Sequence, residues 1–204
     1  MLRKPTVLLL CVFLALNIQA QNFAGGIILG LSTSQVGGDD LAGFNKAGLL
    51  IGIFANKNIS KYLSFQMEMT YTQKGSNNPK MNDSSHPNHE KEDISLSYIE
   101  VPLLLQYHQS NKLNIETGIL TGYLMDGYYN NDSGEMTNEI NPFVNYDIGL
   151  LFGIDYKYSK NISLNTRLSN SIFPIGTEDY DKQWGSFFKG KYNSVLSFTL
   201  HYNF

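Results

Sequence analysis

Five ionisable residues, Glu68, Glu100, Glu116, Asp147 and Arg167, stand near the middle of stretches in which polar and apolar residues alternate. Beyond the first few residues, Arg167 is the only arginine in the chain. Four carboxylates and a guanidinium on one face could form a proton or ion relay, or a gate. They could equally form a charge-paired plug, because the planar fork of arginine can bond two carboxylates together. A buried charge without a partner is expensive, so the paired plug is the expected arrangement. With four carboxylates to one arginine, internal water or a protonated carboxyl is expected as well.

Other residue groups carry weaker chemistry. "HPNHEKED" brings His86, His89, Glu90, Glu92 and Asp93 together, and nitrogen and oxygen donors at close spacing can bind zinc. No helical pattern puts His86 and His89 on one face, so a solvated loop is the expectation. The acidic stretch 125–142, with Asp126, Asp132, Glu135 and Glu139, could hold a divalent cation, but it lacks the dense spacing of an EF-hand loop. Ser197 and His201 share a face, yet four residues along a strand span about 13 Å, too far for a serine–histidine hydrogen bond. His108 and Ser110 form a His-x-Ser like that of lipid A deacylases, but at a short turn rather than near a long loop. Trp184, Phe187 and Phe188 suit an interface anchor or a partner-binding tip. No catalytic residue, metal site or cofactor is assigned.

The elements that must position these residues are strands. Candidates are 23–32, 46–57, 62–75, 94–108, 112–124, 143–158, 161–174 and 192–204, eight in all. In the third, Leu63, Phe65, Met67, Met69 and Tyr71 oppose Ser64, Gln66, Glu68, Thr70 and Thr72. In the fourth, Ile99, Val101, Leu103, Leu105 and Tyr107 oppose Tyr98, Glu100, Pro102, Leu104 and Gln106. Period two is the signature of a strand with unlike faces. Gly48, Gly52, Gly118, Gly122, Gly149 and Gly153 fall on the polar face, where small residues suit a narrow interior filled by side chains. Charges at mid-strand are costly toward lipid and tolerable in a polar lumen.

The connections follow the same architecture. Links after strands two, four and six are short, whereas 33–45, 76–93, 125–142 and 175–191 are long. Alternating short turns and long loops characterise outer-membrane barrels. Tyrosines cluster toward both strand ends, as aromatic girdles do: Tyr62, Tyr107, Tyr156, Tyr158 and Tyr202 at one, Tyr71, Tyr123, Tyr146 and Tyr192 at the other. The last strand, Leu196, Phe198, Leu200, Tyr202 and Phe204 with polar residues between, must pair with the first to remove the open sheet edge.

Arg3 and Lys4 precede the apolar run "TVLLLCVFLAL", and "NIQA" follows. That pattern predicts a signal peptide over residues 1–20 and a single barrel domain over 21–204. Cys11 lies inside the apolar run, so the mature chain has no cysteine for a disulfide or thiol nucleophile. Without Arg3 and Lys4, 13 basic residues face 18 acidic ones, and no basic cluster suggests a nucleic-acid partner.

"SYIEVPLLLQY" and "KLNIETGILTGYLM" resemble the small outer-membrane β-barrel family that includes PorT-type proteins. Its Tyr-(Leu/Ile)-Glu-(Ile/Val)-Pro-Leu-Leu-Leu stretch matches Tyr98 to Leu105, and "SFQMEMTYTQKG" resembles its preceding strand. The resemblance implies an all-β fold, an eight-stranded antiparallel up-and-down barrel in a Gram-negative outer membrane. It implies no activity. The aromatic C-terminus resembles the signal read by the barrel-assembly machinery. The expected protein is a non-enzymatic monomer with a plugged polar lumen, periplasmic termini and four external loops. It would contact lipopolysaccharide and an unknown envelope partner, with a role in structure, secretion or envelope assembly. A narrow pore and a lipid-modifying enzyme are the alternatives.

Overall fold

A computed structural model describes residues 23–37, 43–77, 93–131, 134–135, 143–176 and 190–204. Eight antiparallel strands form the wall: β1 (Phe23–Gly37), β2 (Lys46–Asn58), β3 (Leu63–Asn77), β4 (Asp93–His108), β5 (Leu113–Asn131), β6 (Tyr146–Lys157), β7 (Ile162–Ser171) and β8 (Tyr192–Asn203). Each pairs with its neighbours in the chain, and β8 pairs with β1, so the sheet closes on itself. A two-residue strand, Gly134–Glu135, only extends the tip of β5. The expected signal peptide, His86, His89, Trp184, Phe187, Phe188 and most of 132–142 lie outside the described residues.

The register sets the dimensions. Rungs lead from Gly25 through Ala55, Met67, Leu103, Ile119, Leu150, Asn170 and Ser194 to Gln35, ten residues further along β1. An even stagger keeps inward residues inward after a full circuit. Ten residues over eight strands, at about 3.3 Å per residue and about 4.8 Å between strands, tilt the strands by about 41°. Tyr146 and Tyr156 of β6 are ten residues apart, so the apolar band between them is about 25 Å tall at that tilt.

Alternation runs as the sequence pattern predicts. β6 alternates exposed and buried residues from Tyr146 to Tyr156, and β3 alternates from Phe65 to Lys74 except at half-exposed Tyr71. Ile53, Met69, Leu150, Phe152, Leu168 and Phe198 are exposed outside, with aromatic residues above and below them. The strand ends differ from expectation. β1 continues to Gly37 because Ser32, Ser34 and Val36 keep the inward parity. β5 continues to Asn131 through a bulge at Met125, where Ser97 and Tyr98 pair with Asp126 and Leu124. β6 and β7 are shorter than expected: Phe143 and Val144 leave the ladder, although Val144 N–H still donates to Ile175 O at 2.8 Å.

One part of the wall overlaps. The β2–β3 ladder stops at Leu50 and Thr72, while β3 continues pairing with β4 up to Asn77. Beyond Thr72, β3 bends inward across Gly48, where a Cβ would lie 2.2 Å from Gln73 O. Ser32 Oγ of β1 then donates to Gln73 O at 2.8 Å, and Ser34 Oγ donates to Gly75 O at 3.0 Å. Gly75 has φ of 149°, a backbone conformation that residues with a side chain rarely adopt.

Candidate functional site

The lumen is the only place where the described polar chemistry converges, and strand parity puts it there. β3 aims Gln66, Glu68 and Lys74 inward, β5 aims Asn114 and Glu116, and β7 aims Ser163, Asn165 and Arg167. Glu68, Glu100, Glu116, Asp147 and Arg167 are all buried.

They form two groups rather than one. In the first, Arg167 Nη1 donates to Glu68 Oε2 at 2.6 Å and Nη2 donates to Glu68 Oε1 at 2.7 Å, a two-pronged contact. Arg167 Nε donates to Glu116 Oε1. Amides fill the remaining lone pairs. Gln66 Nε2 donates to Glu68 Oε1 at 2.6 Å, Asn165 Nδ2 to Glu116 Oε1 at 2.9 Å, and Gln106 Nε2 to Glu116 Oε2 at 3.1 Å. Such satisfaction is what makes buried ions tolerable.

The second group is built on a residue the charge inventory missed. Lys74 lies six residues beyond Glu68 on β3, about 15 Å further along the axis. Its Nζ bridges Glu100 and Asp147, reaching Asp147 Oδ2 at 3.2 Å, and sits 5.0 Å from the centre of the Tyr98 ring. Ser171 Oγ donates to Asp147 Oδ1 at 2.7 Å, and Asn193 Nδ2 donates to Asp147 Oδ2 at 2.9 Å. The expected ratio of four carboxylates to one cation is therefore corrected to two carboxylates for each of two cations. Parity could have found Lys74, since it continues the inward series of Glu68, Thr70 and Thr72.

The lumen also holds apolar clusters. Ile28, Leu50 and Phe54 form one buried apolar cluster, and Leu104, Leu120 and Leu151 form another. Leu50, Leu120, Leu151 and Val195 face a cavity of about 30 Å³ that also touches Arg167 and Lys74, room for a water molecule or two. A third cluster, Val36, Ile94, Leu96, Tyr98, Leu124, Phe143 and Ile175, lies toward the long-loop end. At the short-turn end lies a polar recess of about 160 Å³ lined by Asn56, Gln106, His108, Asp155 and His201. There His108 Nδ1 lies 2.8 Å from Asn114 Oδ1, and Asn114 Nδ2 donates to Asp155 Oδ2 at 2.9 Å.

Of the groups weighed for an enzyme and set aside, Ser110 and His201 have other partners. Ser110 Oγ accepts from the backbone N–H of Leu113 at 3.1 Å. His201 Nε2 lies 3.0 Å from Thr199 Oγ1, with its ring 5.4 Å from that of Phe54. Among the described residues, no group of three or more His, Cys, Asp or Glu could hold a metal ion.

Outside the closed wall, the exposed apolar band between aromatic rims is the surface a bilayer would cover. The outer membrane protein beta-barrel domain matches residues 19–176 of the sequence. The chain belongs to that family. Its greasy exterior thus faces the hydrocarbon of an outer membrane, and its ionic groups lie inside. Solved structures share the fold. The attachment invasion locus protein of Yersinia pestis is 10% identical, with a TM-score of 0.52 over 90% of this chain and 100% of that one. Neisserial surface protein A is 15% identical, with a TM-score of 0.51 over 90% of this chain and 98% of that one. No curated protein matches by sequence.

Proposed function

We propose that the protein is a non-enzymatic, non-conducting barrel whose work is done by its loops and rims: a structural or interaction element of the cell envelope, accessory to secretion or envelope assembly. The observation that carries this reading is the sequence of fillings along the axis. Two ion-paired groups are separated by apolar side chains, so an ion entering the lumen would have to break a buried pair and pass between those side chains. Purified protein in planar bilayers is expected to give no stable single-channel conductance. Reproducible steps would overturn the reading and favour a narrow pore.

The PorT-type resemblance at Tyr98 to Leu105 supports the secretion role. In this reading residues 1–20 are a cleaved signal peptide, residues 21–204 form the mature monomer, the short turns and both termini are periplasmic, and the four long loops are external. Leu196, Phe198, Leu200, Tyr202 and Phe204 serve as the closing-strand signal for the barrel-assembly machinery. The pairing of β8 with β1 from Tyr192 to Asn203 supports that role. The loops meet lipopolysaccharide and an envelope protein partner. Cross-linking in intact cells, followed by recovery of the barrel, is expected to return a secretion or assembly component. Recovery of lipid-anchored wall proteins alone would refute the secretion assignment. Fatty-acid release from lipid A by the folded protein would refute the non-enzymatic one.

A further inference from the structure

The short-turn rim carries lysine and no acidic side chain. Residues 56–62, 108–113 and 156–162 contain Lys57, Lys61, Lys112, Lys157 and Lys160, with neither Asp nor Glu. Four of these lysines are exposed and Lys57 is half-buried. Among the described residues no carboxylate pairs with any of them. The nearest acidic residue in sequence, Asp155, is buried and bonded to Asn114. The balance is unexpected in a chain with an acidic excess overall.

Two of the lysines also reveal the depth of the rim. Lys57 Nζ sits 5.2 Å from the centre of the Phe23 ring, and Lys61 Nζ sits 5.5 Å from that of Tyr62. Phe23 and Tyr62 belong to the exposed aromatic band that ends the apolar exterior. Aromatic girdles lie at headgroup level, and lysine stems there lie along apolar surface with the ammonium in the polar layer. The turns bearing the lysines are closed by side-chain hydrogen bonds. Ser60, Ser110 and Ser159 each accept from backbone N–H groups two or three residues ahead. The charges thus stand on hydrogen-bonded turns around three of the four sectors of the rim.

We propose that this rim is a docking surface for the anionic headgroups of phospholipids in the leaflet it meets. It selects lipids by charge and pins the height of the barrel. The proposal needs only that the barrel spans a bilayer, so it stands or falls separately from the conductance and secretion readings. A lysine near an anionic surface strengthens association by roughly fivefold, and that attraction fades as salt shortens the screening length.

The test uses the full-length folded protein in phosphatidylcholine vesicles containing a trace of spin-labelled phosphatidylglycerol or spin-labelled phosphatidylcholine. The motionally restricted fraction of each label is read by electron paramagnetic resonance. Phosphatidylglycerol is expected to associate at least several-fold more strongly. The preference should shrink at about 0.5 M salt, where the screening length is about 4 Å, and vanish in the K57Q/K61Q/K112Q/K157Q/K160Q protein. Should that protein not give a heat-modifiable barrel, K57Q/K61Q is expected to lose a substantial part of the preference. Equal association of both labels with the wild-type protein overturns the proposal, as does a preference that survives the substitutions. Capture of polyglutamate by the rim without any headgroup preference assigns it to an acidic protein instead and also overturns it.

Discussion

At the scale of single residues, the lumen shows why an arginine and a lysine take different partners. Arg167 meets Glu68 with two parallel bonds and Glu116 with a third, using the fork geometry that a lysine lacks. Lys74, a point charge, bridges Glu100 and Asp147 while lying against the Tyr98 ring. Removing one partner of such a buried group leaves the others uncompensated. Arg167→Ala is therefore expected to lower stability by about 3–5 kcal/mol. Urea titration of the detergent-folded barrel, followed by heat-modifiable gel mobility, checks this. An unchanged midpoint would mean the guanidinium holds nothing together. Neutralising the whole group with R167M/E68Q/E116Q is expected to cost less than Arg167→Ala alone, since no charge is then stranded. On the lipid face the rule reverses. Phe198 is exposed near mid-band, and Phe198→Arg is expected to cost about 2–4 kcal/mol, read as reduced folded yield in vesicles at equal urea.

At the scale of elements, the three short turns are one solution used three times. Ser60, Ser110 and Ser159 each precede by three residues the first residue of the next strand: Leu63, Leu113 and Ile162. In each turn the N–H of the serine donates to the carbonyl of that third residue, at 2.9, 3.1 and 3.0 Å. The hydroxyl satisfies N–H groups that the ladder leaves over. Each Ser→Ala change is expected to cost about 1 kcal/mol. Because the turns are far apart, the three costs should add, measured as a stepwise fall in the urea midpoint. The overlap of β3 on β2 makes a sharper demand. Gly48→Val places atoms where Gln73 O already lies, 2.2 Å from an ideal Cβ. The upper end of β3 should then be displaced from Ser32 and Ser34, with faster amide exchange at Gly75, whose N–H now donates to Ser34 Oγ at 2.9 Å. Unaltered protection there would show that the overlap tolerates a side chain.

At the scale of the whole molecule, stagger, tilt and band height form one consistent set. A stagger of ten residues on eight strands implies a tilt of about 41° and an apolar band about 25 Å tall. Folding is expected to be most complete in bilayers whose hydrocarbon thickness is near that height, and to fall off in thicker ones. A series of phosphatidylcholines of increasing chain length, scored by heat-modifiable mobility, checks it. Along the axis, the apolar cluster, the Lys74 group, the apolar layer, the Arg167 group and the short-turn recess succeed one another. A polar recess thus lies at the short-turn end, and the apolar cluster lies toward the other. The lysine rim surrounds the recess at the short-turn end.

Much of this was legible in the sequence because a β-strand has a period of two. Alternation alone assigned Glu68, Glu100, Glu116, Asp147 and Arg167 to one side, predicted eight strands, and separated short turns from long loops. Membership of an outer-membrane family was then shown by the domain match over residues 19–176. Period two says which side a residue faces but not how high it stands or which residue it meets across the lumen. Those depend on the ten-residue stagger, a property of all eight pairings together. Only the closed structure could divide the carboxylates between Arg167 and Lys74, insert apolar layers between them, and fold β3 inward over Gly48. Height and cross-lumen distance are global quantities of a barrel, while facing is a local one.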